Sequence, residues 1–457
     1  MSPGLLKVAE RARRDPHAQF HSLAHWIDQD ALAWAFRTVR KVALFGNVYR
    51  ESTNALAWAF RTVRKDAAVG VDGITKERYG QDLEAHLQDL HDRLKTGRYR
   101  HQAIRRVHIP KASGGTRPIG VSTIEDKIVQ AAVGEVLGAL YEQDFLPCSY
   151  GFRPGRSAHD ALRALRAPIQ NGEANWLLET DVASFFDSVV RATLVEMLQE
   201  RVADGALLRL IGKCLHVGIL DGAEFSAPEV GTVQGSSLSP RLGNVDLHYV
   251  LDVWFEREVR PRLRGRATLV RYADDLAITF ERHDDAQRVM QVLPQRMAKF
   301  GLRLHPNKTR LLPIGRPSVS DPGGKGPATF DFLGFTVFWR RAHGGTGWRV
   351  GMTTRKGRLQ RAIEALGDGC RRHRHDPVQE QQAGLARRLD GHFNYVGVQG
   401  NFSALARLSH AAKRLGFKWL NRRSQRARLT WERFNAMMLK FPLPRASIRV
   451  RLWGDSS

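Results

Sequence analysis

Two short acidic stretches carry the candidate chemistry of this 457-residue chain. The first is Tyr272-Ala273-Asp274-Asp275, set between apolar residues over positions 269–280. Within one strand, adjacent carboxylates point to opposite faces; at a tight turn between two strands they can face one cleft. Held side by side they repel unless a cation neutralises them. The second is Asp181, which ends the apolar run 176–181 and is followed by Val182 and then Phe185-Phe186-Asp187. If the two strands are neighbours in one sheet, Asp181 and Asp274 meet at its edge, and such oxygen ligands suit Mg²⁺. Two such ions about 4 Å apart would activate a 3′-hydroxyl and stabilise a leaving pyrophosphate. An Asp-Asp pair alone also reads as a solvated turn. The apolar flanks and the second motif favour the cleft.

The elements that would position these groups follow from pattern. Alternating apolar residues around Gly114-Gly115 predict a basic β-hairpin over 105–120. The run 176–181 predicts a buried strand, and 269–280 a hairpin with the two aspartates at its tip. Helical spacing follows over 124–141 and 185–199, and a strand is expected over 330–339. Beyond about residue 355 the pattern is helical, with a break expected at 391–401. Near the start, ALAWAFRTVRK occurs at 31–41 and again, letter for letter, at 55–65. One extra copy is too few for a solenoid. The second copy reads as the working one and the first as a helical insertion near a chain end.

Charge narrows the partner. Lys plus Arg number 71 against 46 Asp plus Glu, a net of +25, with 42% hydrophobic and 26% charged residues. Positions 339–457 hold 25 Lys/Arg and 7 Asp/Glu. Such a field favours a polyanion, and nucleic acid over a membrane, because no lipidation motif or basic amphipathic anchor is evident. No apolar stretch of ~18 residues is present to span a bilayer. Three scattered cysteines (Cys148, Cys214, Cys370) give neither a disulfide framework nor a CxxC zinc site. A reducing, cytoplasmic setting is expected, nucleoid-associated when on DNA.

Several motifs, in order and in spacing, resemble reverse transcriptases, and more closely the bacterial group II intron-encoded reverse transcriptase/maturases. They are Asp181 with Phe185-Phe186-Asp187, Gly231-Thr-Val-Gln-Gly-Ser-Ser-Leu-Ser-Pro240 and Tyr272-Ala-Asp-Asp275. Ile109-Pro-Lys-Ala-Ser-Gly-Gly-Thr-Arg-Pro118, Ser149-Tyr-Gly-Phe-Arg-Pro-Gly-Arg-Ser157 and Phe330-Asp-Phe-Leu-Gly-Phe335 extend the match, which runs from about 55 to 453. The chain stops soon after Pro444, so the resemblance implies a member without an H-N-H endonuclease domain.

The resemblance implies roles for individual positions. Asp181, Asp274 and Asp275, with the Val182 carbonyl, match the ligands of two Mg²⁺ ions, Mn²⁺ being an alternative. Lys111 and Arg117 match the residues that grip the incoming triphosphate, Phe186 the bulky group that meets a ribose 2′-hydroxyl, and Gln234 and Gly235 the loop along the new base pair. Lys308 matches a lysine that protonates the leaving pyrophosphate. Phe332, Leu333 and Gly334 match the primer grip. Arg422, Arg423, Arg426 and Arg428, four arginines in seven residues, read as an RNA-facing helix. Blander readings stand beside these: Arg117 as a surface-turn residue, Phe186 as core, the arginine run as a solvated face.

The expected fold is α+β, a right-hand polymerase with fingers, a ferredoxin-like palm and a helical basic thumb. Expected divisions are 1–54 (extension), 55–340 (fingers and palm) and 341–457 (thumb and RNA-binding region). The expected partners are an RNA template, an intron RNA, a DNA primer or target, and deoxynucleoside triphosphates. Two rivals remain: an RNA-binding splicing cofactor, and a domesticated reverse transcriptase serving defence or repair.

Overall fold

Among the described residues, short apolar and alternating runs form three small sheets set between helices. The computed structural model describes residues 3–21, 23, 54–110, 114–222, 224–226, 230–232, 234–317, 327–342, 347–424 and 428–453. Lys111, Arg426 and the first ALAWAFRTVRK copy lie outside the described residues. The second copy forms helix α2 (Asn54–Thr62), which packs on α4 (Ile124–Tyr141), a helix buried almost all round.

The central sheet runs β6-β7-β3-β8, with β3 Trp176–Asp181, β6 Ala267–Tyr272, β7 Asp275–Phe280 and β8 Arg310–Pro313. Every pairing in it is antiparallel. Successive side chains of a strand enter opposite faces, and here both faces are buried. Leu178, Leu269, Leu276 and Ile278 join one core, whereas Leu177, Val270 and Ala277 join the other. The first core gathers the N-terminal helices and helix α10 (His283–Ala298); the second gathers α5 (Ala158–Gln170) and the C-terminal helices. The strands are therefore clamped on both sides, and their shared end holds the acidic residues.

The predicted basic hairpin forms: β1 (Ile104–Pro110) pairs with β2 (Thr116–Val121), and β1 also pairs in parallel with β4 (Ile219–Asp221). The run 330–339 differs from expectation. It is two strands, β9 (Phe330–Phe332) and β10 (Phe335–Arg341), folded on a turn at Leu333-Gly334 and continued by β11 (Trp348–Thr354). The expected division at residue 340 falls at the C-terminal end of β10. Three helices follow as α11 (Lys356–Arg372), α12 (Val378–Val396) and α13 (Phe402–Leu420), with α14 (Trp431–Lys440) after them.

Two further expectations are corrected. Helix α12 runs through Gly391 without a break and stops at Gly397, because Leu389, Phe393 and Val396 bury one continuous stripe. The arginine run after α13 is not helical at Arg422 and Arg423, which lie in a turn. There Asn421 closes the loop with its own side chain: Nδ2 donates to the Leu429 carbonyl at 3.1 Å and Oδ1 accepts from Leu429 N–H at 2.8 Å. Arg423 turns inward to the Asp376 carbonyl. Among the described residues no helix is long and apolar enough to cross a membrane.

Asn401, fully buried, ties the third sheet to the C-terminal helices. Its Oδ1 accepts from Thr354 N–H at 2.9 Å and from Thr353 Oγ1 at 3.0 Å, and its Nδ2 donates to Thr354 Oγ1 and the Val396 carbonyl, both at 2.7 Å. Asn401→Ala orphans these groups, and each buried orphan costs about 1–3 kcal/mol. A lower denaturation midpoint with native helix content is expected; an unchanged midpoint would refute this role.

Candidate active site

The β3–β7 ladder ends with Asp181 directly opposite Asp275. The hairpin β6–β7 turns through Ala273 and Asp274, and Ala273 adopts a left-handed backbone at φ 56°. Residues almost a hundred positions apart thus share one sheet edge, as the two-strand reading required. The likeness of charge is felt. Burial, with Asp181 alongside, raises the Asp274 carboxyl above its ordinary range, against a local backbone hydrogen bond and the cations Arg117 and Lys308. Although Asp275 has part of its surface exposed, desolvation of its carboxyl by the surrounding protein, with the charges of Asp274 and Asp181 adding to it, pushes it up to about 7.

A buried arginine holds this turn. Arg271, the residue before Tyr272, is fully enclosed and paired with the equally buried Asp252. Its Nε and Nη2 reach the two Asp252 oxygens at 2.8 and 2.6 Å. The remaining donors bind Asn244 Oδ1 at 2.9 Å, Ser149 Oγ at 2.7 Å and, at 3.2 Å, the carbonyl of Ala273 in the turn itself. Asn244 in turn donates to the Gly151 carbonyl at 2.8 Å. Gly151 lies flat on the turn: a Cβ there would come within 2.4 Å of Ala273 N, so only glycine fits.

A cleft of about 340 Å³ opens above, lined by Arg117, Phe186, Gln234, Gly235, Asp274 and Asp275 together with Phe152 and Tyr272. Six predicted residues from four separate sequence regions thus converge. Arg117 comes from the exposed arm of β2. Phe185 is buried and Phe186 half-buried, which divides the pair between core and cleft. Gly235, at φ 108°, rests on β2, where a Cβ would strike the Gly120 carbonyl at 2.5 Å. The Gln234 carbonyl accepts from Gly120 N–H at 2.6 Å, which ties this loop to the hairpin.

Lys308 and Asp181 form an ion pair beneath the turn, the lysine largely exposed. Val182 bridges Leu304 at a site where the flanking Ala183 and His305 N–H groups do the bonding, so this bridge leaves the Val182 carbonyl unused. The donors are all oxygens, and the mutual repulsion of the carboxylates fits a divalent cation in kind. Yet among the described residues no three His, Cys, Asp or Glu side chains form a metal-holding cluster. The expected triad is brought to one edge with Asp181 engaged by an ammonium group instead.

The primer-grip candidates sit outside the cleft lining. Leu333 (φ 49°) and Gly334 (φ 81°) make the β9–β10 turn, and Phe332 is buried below it. The Tyr395 hydroxyl donates to the Leu333 carbonyl at 2.8 Å, and Arg358 lies 4.3 Å over the Tyr395 ring.

Sequence reasoning missed Phe152 as a cleft residue and Arg271 as its organiser. Arg271 had a signal: a charge inside an apolar strand demands a buried partner. Phe152 had none in its residue type. Arg271→Ala would strand Asp252, and breaking a buried pair costs about 3–5 kcal/mol. The thermal midpoint should fall sharply, whereas the apolar double replacement Arg271→Met/Asp252→Leu should recover most of the loss; an unaltered midpoint in the single variant would contradict the arrangement.

Comparison with known proteins agrees with this geometry. Residues 109–337 match the reverse transcriptase (RNA-dependent DNA polymerase) family. The chain is 30% identical to protein YkfC of Escherichia coli K12 over 312 residues, covering 60% of this chain and 77% of that protein. It is 34% identical over 199 residues to the group II intron-encoded protein LtrA of Lactococcus lactis subsp. cremoris, 42% of this chain and 32% of LtrA. A 91 kDa protein in the cob intron of Schizosaccharomyces pombe is 39% identical over 163 residues, 36% of this chain and 20% of that protein. The chain thus spans under a third of these two intron proteins. Family membership implies a nucleic-acid template and primer, nucleotides and a divalent metal. With three acidic residues on one sheet edge beneath a basic hairpin and residues 109–337 matched, this chain belongs to the reverse transcriptase family and carries an RNA-dependent DNA polymerase domain.

Proposed function

We propose that the chain extends a primer with deoxynucleotides on an RNA template, as a protein of the group II intron-encoded reverse transcriptase/maturase type, and that it binds an intron RNA to assist splicing and mobility. The observation that carries this is the β3–β7 register, which sets Asp181 against Asp275 at the mouth of a cleft lined by Arg117. The relatives LtrA and the cob-intron protein are intron-encoded by name, and the last quarter of the chain is strongly basic. In this reading the hairpin β1–β2 serves as fingers, the central sheet as a ferredoxin-like palm, and α11–α14 as thumb and RNA-binding region, a right-hand arrangement.

Asp181, Asp274 and Asp275, with the Val182 carbonyl, are the residues that would hold Mg²⁺, or Mn²⁺ in its place. When bound, the ions supply Lewis-acid polarisation of the reacting oxygens. The protein's own groups do the rest. Arg117, with Lys111, takes the charge of the triphosphate, where negative charge grows on the β-phosphate as the bond breaks. In this reading Phe186 meets the ribose 2′-hydroxyl and Gln234 and Gly235 run along the new pair; their sharing one cleft with the acidic turn supports it. The primer 3′-hydroxyl gives up its proton to solvent as its oxygen bonds to the α-phosphorus, and the bond from that phosphorus to the bridging oxygen breaks to release pyrophosphate. In this reading Lys308, which pairs with Asp181, gives its proton to that leaving group. Phe332, Leu333 and Gly334 steady the primer terminus. Arg422 and Arg428 face solvent and suit phosphate contacts.

Primer extension on an RNA template tests the reading. Wild type should incorporate deoxynucleotides and Asp274→Ala should lose at least ~100-fold, the order set by removing a principal electrostatic group; equal, negligible incorporation by both would reject it in favour of an RNA-binding cofactor. Phe186→Val should admit ribonucleotides, read as a narrowed dNTP-to-rNTP ratio in kcat/KM, and an unchanged ratio would remove Phe186 from sugar selection. Arg422→Ala/Arg428→Ala should flatten the salt dependence of RNA binding, with a slope reduction of up to about 2; an unchanged slope would show that this face does not meet RNA.

A further inference from the structure

Phe152 is held in a conformation that its residue type disfavours, at a place where about half of it is open to solvent. Its φ is 57°, left-handed backbone in which a bulky residue is an outlier. Its side chain is 53% exposed, and it lines the cleft beside Arg117, Phe186, Gln234 and Asp274. The backbone around it is over-determined. Tyr150 N–H donates to the Arg271 carbonyl at 2.9 Å, and Gly151 lies against the Ala273 turn. Arg153, buried, donates to the carbonyls of Leu146 and Ser149, both at 2.9 Å. The segment is thus fastened to the acidic turn just before Phe152 and, through Arg153, to the carbonyls at 146 and 149 just after it, and Phe152 lines the cleft. Strain kept in place by its surroundings at a site of chemistry is a pointer to use.

We propose that Phe152 is a stacking residue for a nucleobase at the reacting end of the primer–template. The apolar, exposed, fixed ring offers the flat face that any base accepts, and it does so without sequence preference. Two bases could supply that face, the incoming nucleotide's or the template's. The proposal rests on the polymerase reading above.

Single-nucleotide incorporation by Phe152→Ala, Phe152→Leu, Phe152→Tyr and Phe152→Gly variants on an RNA template decides it. Loss of one base–aromatic stack should raise KM or Kd roughly 5- to 150-fold in Ala, Leu and Gly, with kcat little changed and Tyr restoring binding. An incoming base is indicated if the rise falls on KM for the dNTP. A template base is indicated if it falls on Kd for the primer–template and vanishes when the template nucleotide is abasic. Phe152→Gly should in addition raise the thermal midpoint, because glycine accepts the left-handed backbone, so stability and affinity move in opposite directions. Unchanged constants in Phe152→Ala, full function in Phe152→Leu, or affinity lost only in step with stability would each overturn stacking while leaving the polymerase reading intact. A wild type unable to extend any primer would overturn both.

Discussion

The Arg271–Asp252 pair is the constraint on which the site depends. A guanidinium with no access to water must satisfy its donors inside the protein. Here it does so with Asp252, Asn244, Ser149 and the Ala273 carbonyl. Those partners come from three parts of the chain, so satisfying one side chain docks a helix, the segment before α5 and the acidic turn together. An ion pair at such depth adds little net stability over well-packed apolar groups, but leaving it half-made is costly. Its effect is on geometry: the turn that carries Asp274 is held from below, and Gly151 fits flush against it.

Strain is distributed in keeping with that view. Among the described residues the non-glycine positions with left-handed backbone are Phe152, Ser184, Ala273 and Leu333. Ser184 follows Asp181, Ala273 makes the acidic turn, Phe152 lines the cleft and Leu333 makes the turn held by Tyr395. Each such residue is unfavourable by an amount on the order of 1–3 kcal/mol. The two cores on either face of the central sheet supply the rigidity that keeps them there.

Much of this was legible in the residues. The tip of the 269–280 hairpin and the strand 176–181 were readable because a strand buried on both faces is a short apolar run, and two carboxylates at its end have no structural purpose. Arg117, Phe186, Gln234 and Gly235 converge as the motifs implied. What could not be read is tertiary. Arg422 and Arg423 leave the helix because Asn421 and Leu429 close a loop across them, a bond between residues whose separation no periodicity reports. The strand over 330–339 folds on itself because Leu333 accepts a left-handed backbone, which no propensity would assign to leucine. Asp181 meets Lys308 rather than forming a tight carboxylate trio, an outcome set by side-chain rotamers and not by spacing.

Metal stoichiometry tests the central claim most directly, since it asks whether this edge is built for cations rather than merely acidic. Mn²⁺ bound per protein, measured by paramagnetic relaxation with primer–template and nucleotide present, should be two for the wild type, with the tighter ion lost in both Asp181→Asn and Asp274→Asn. The same number of ions, held equally tightly, in wild type and in Asp274→Asn would contradict the account.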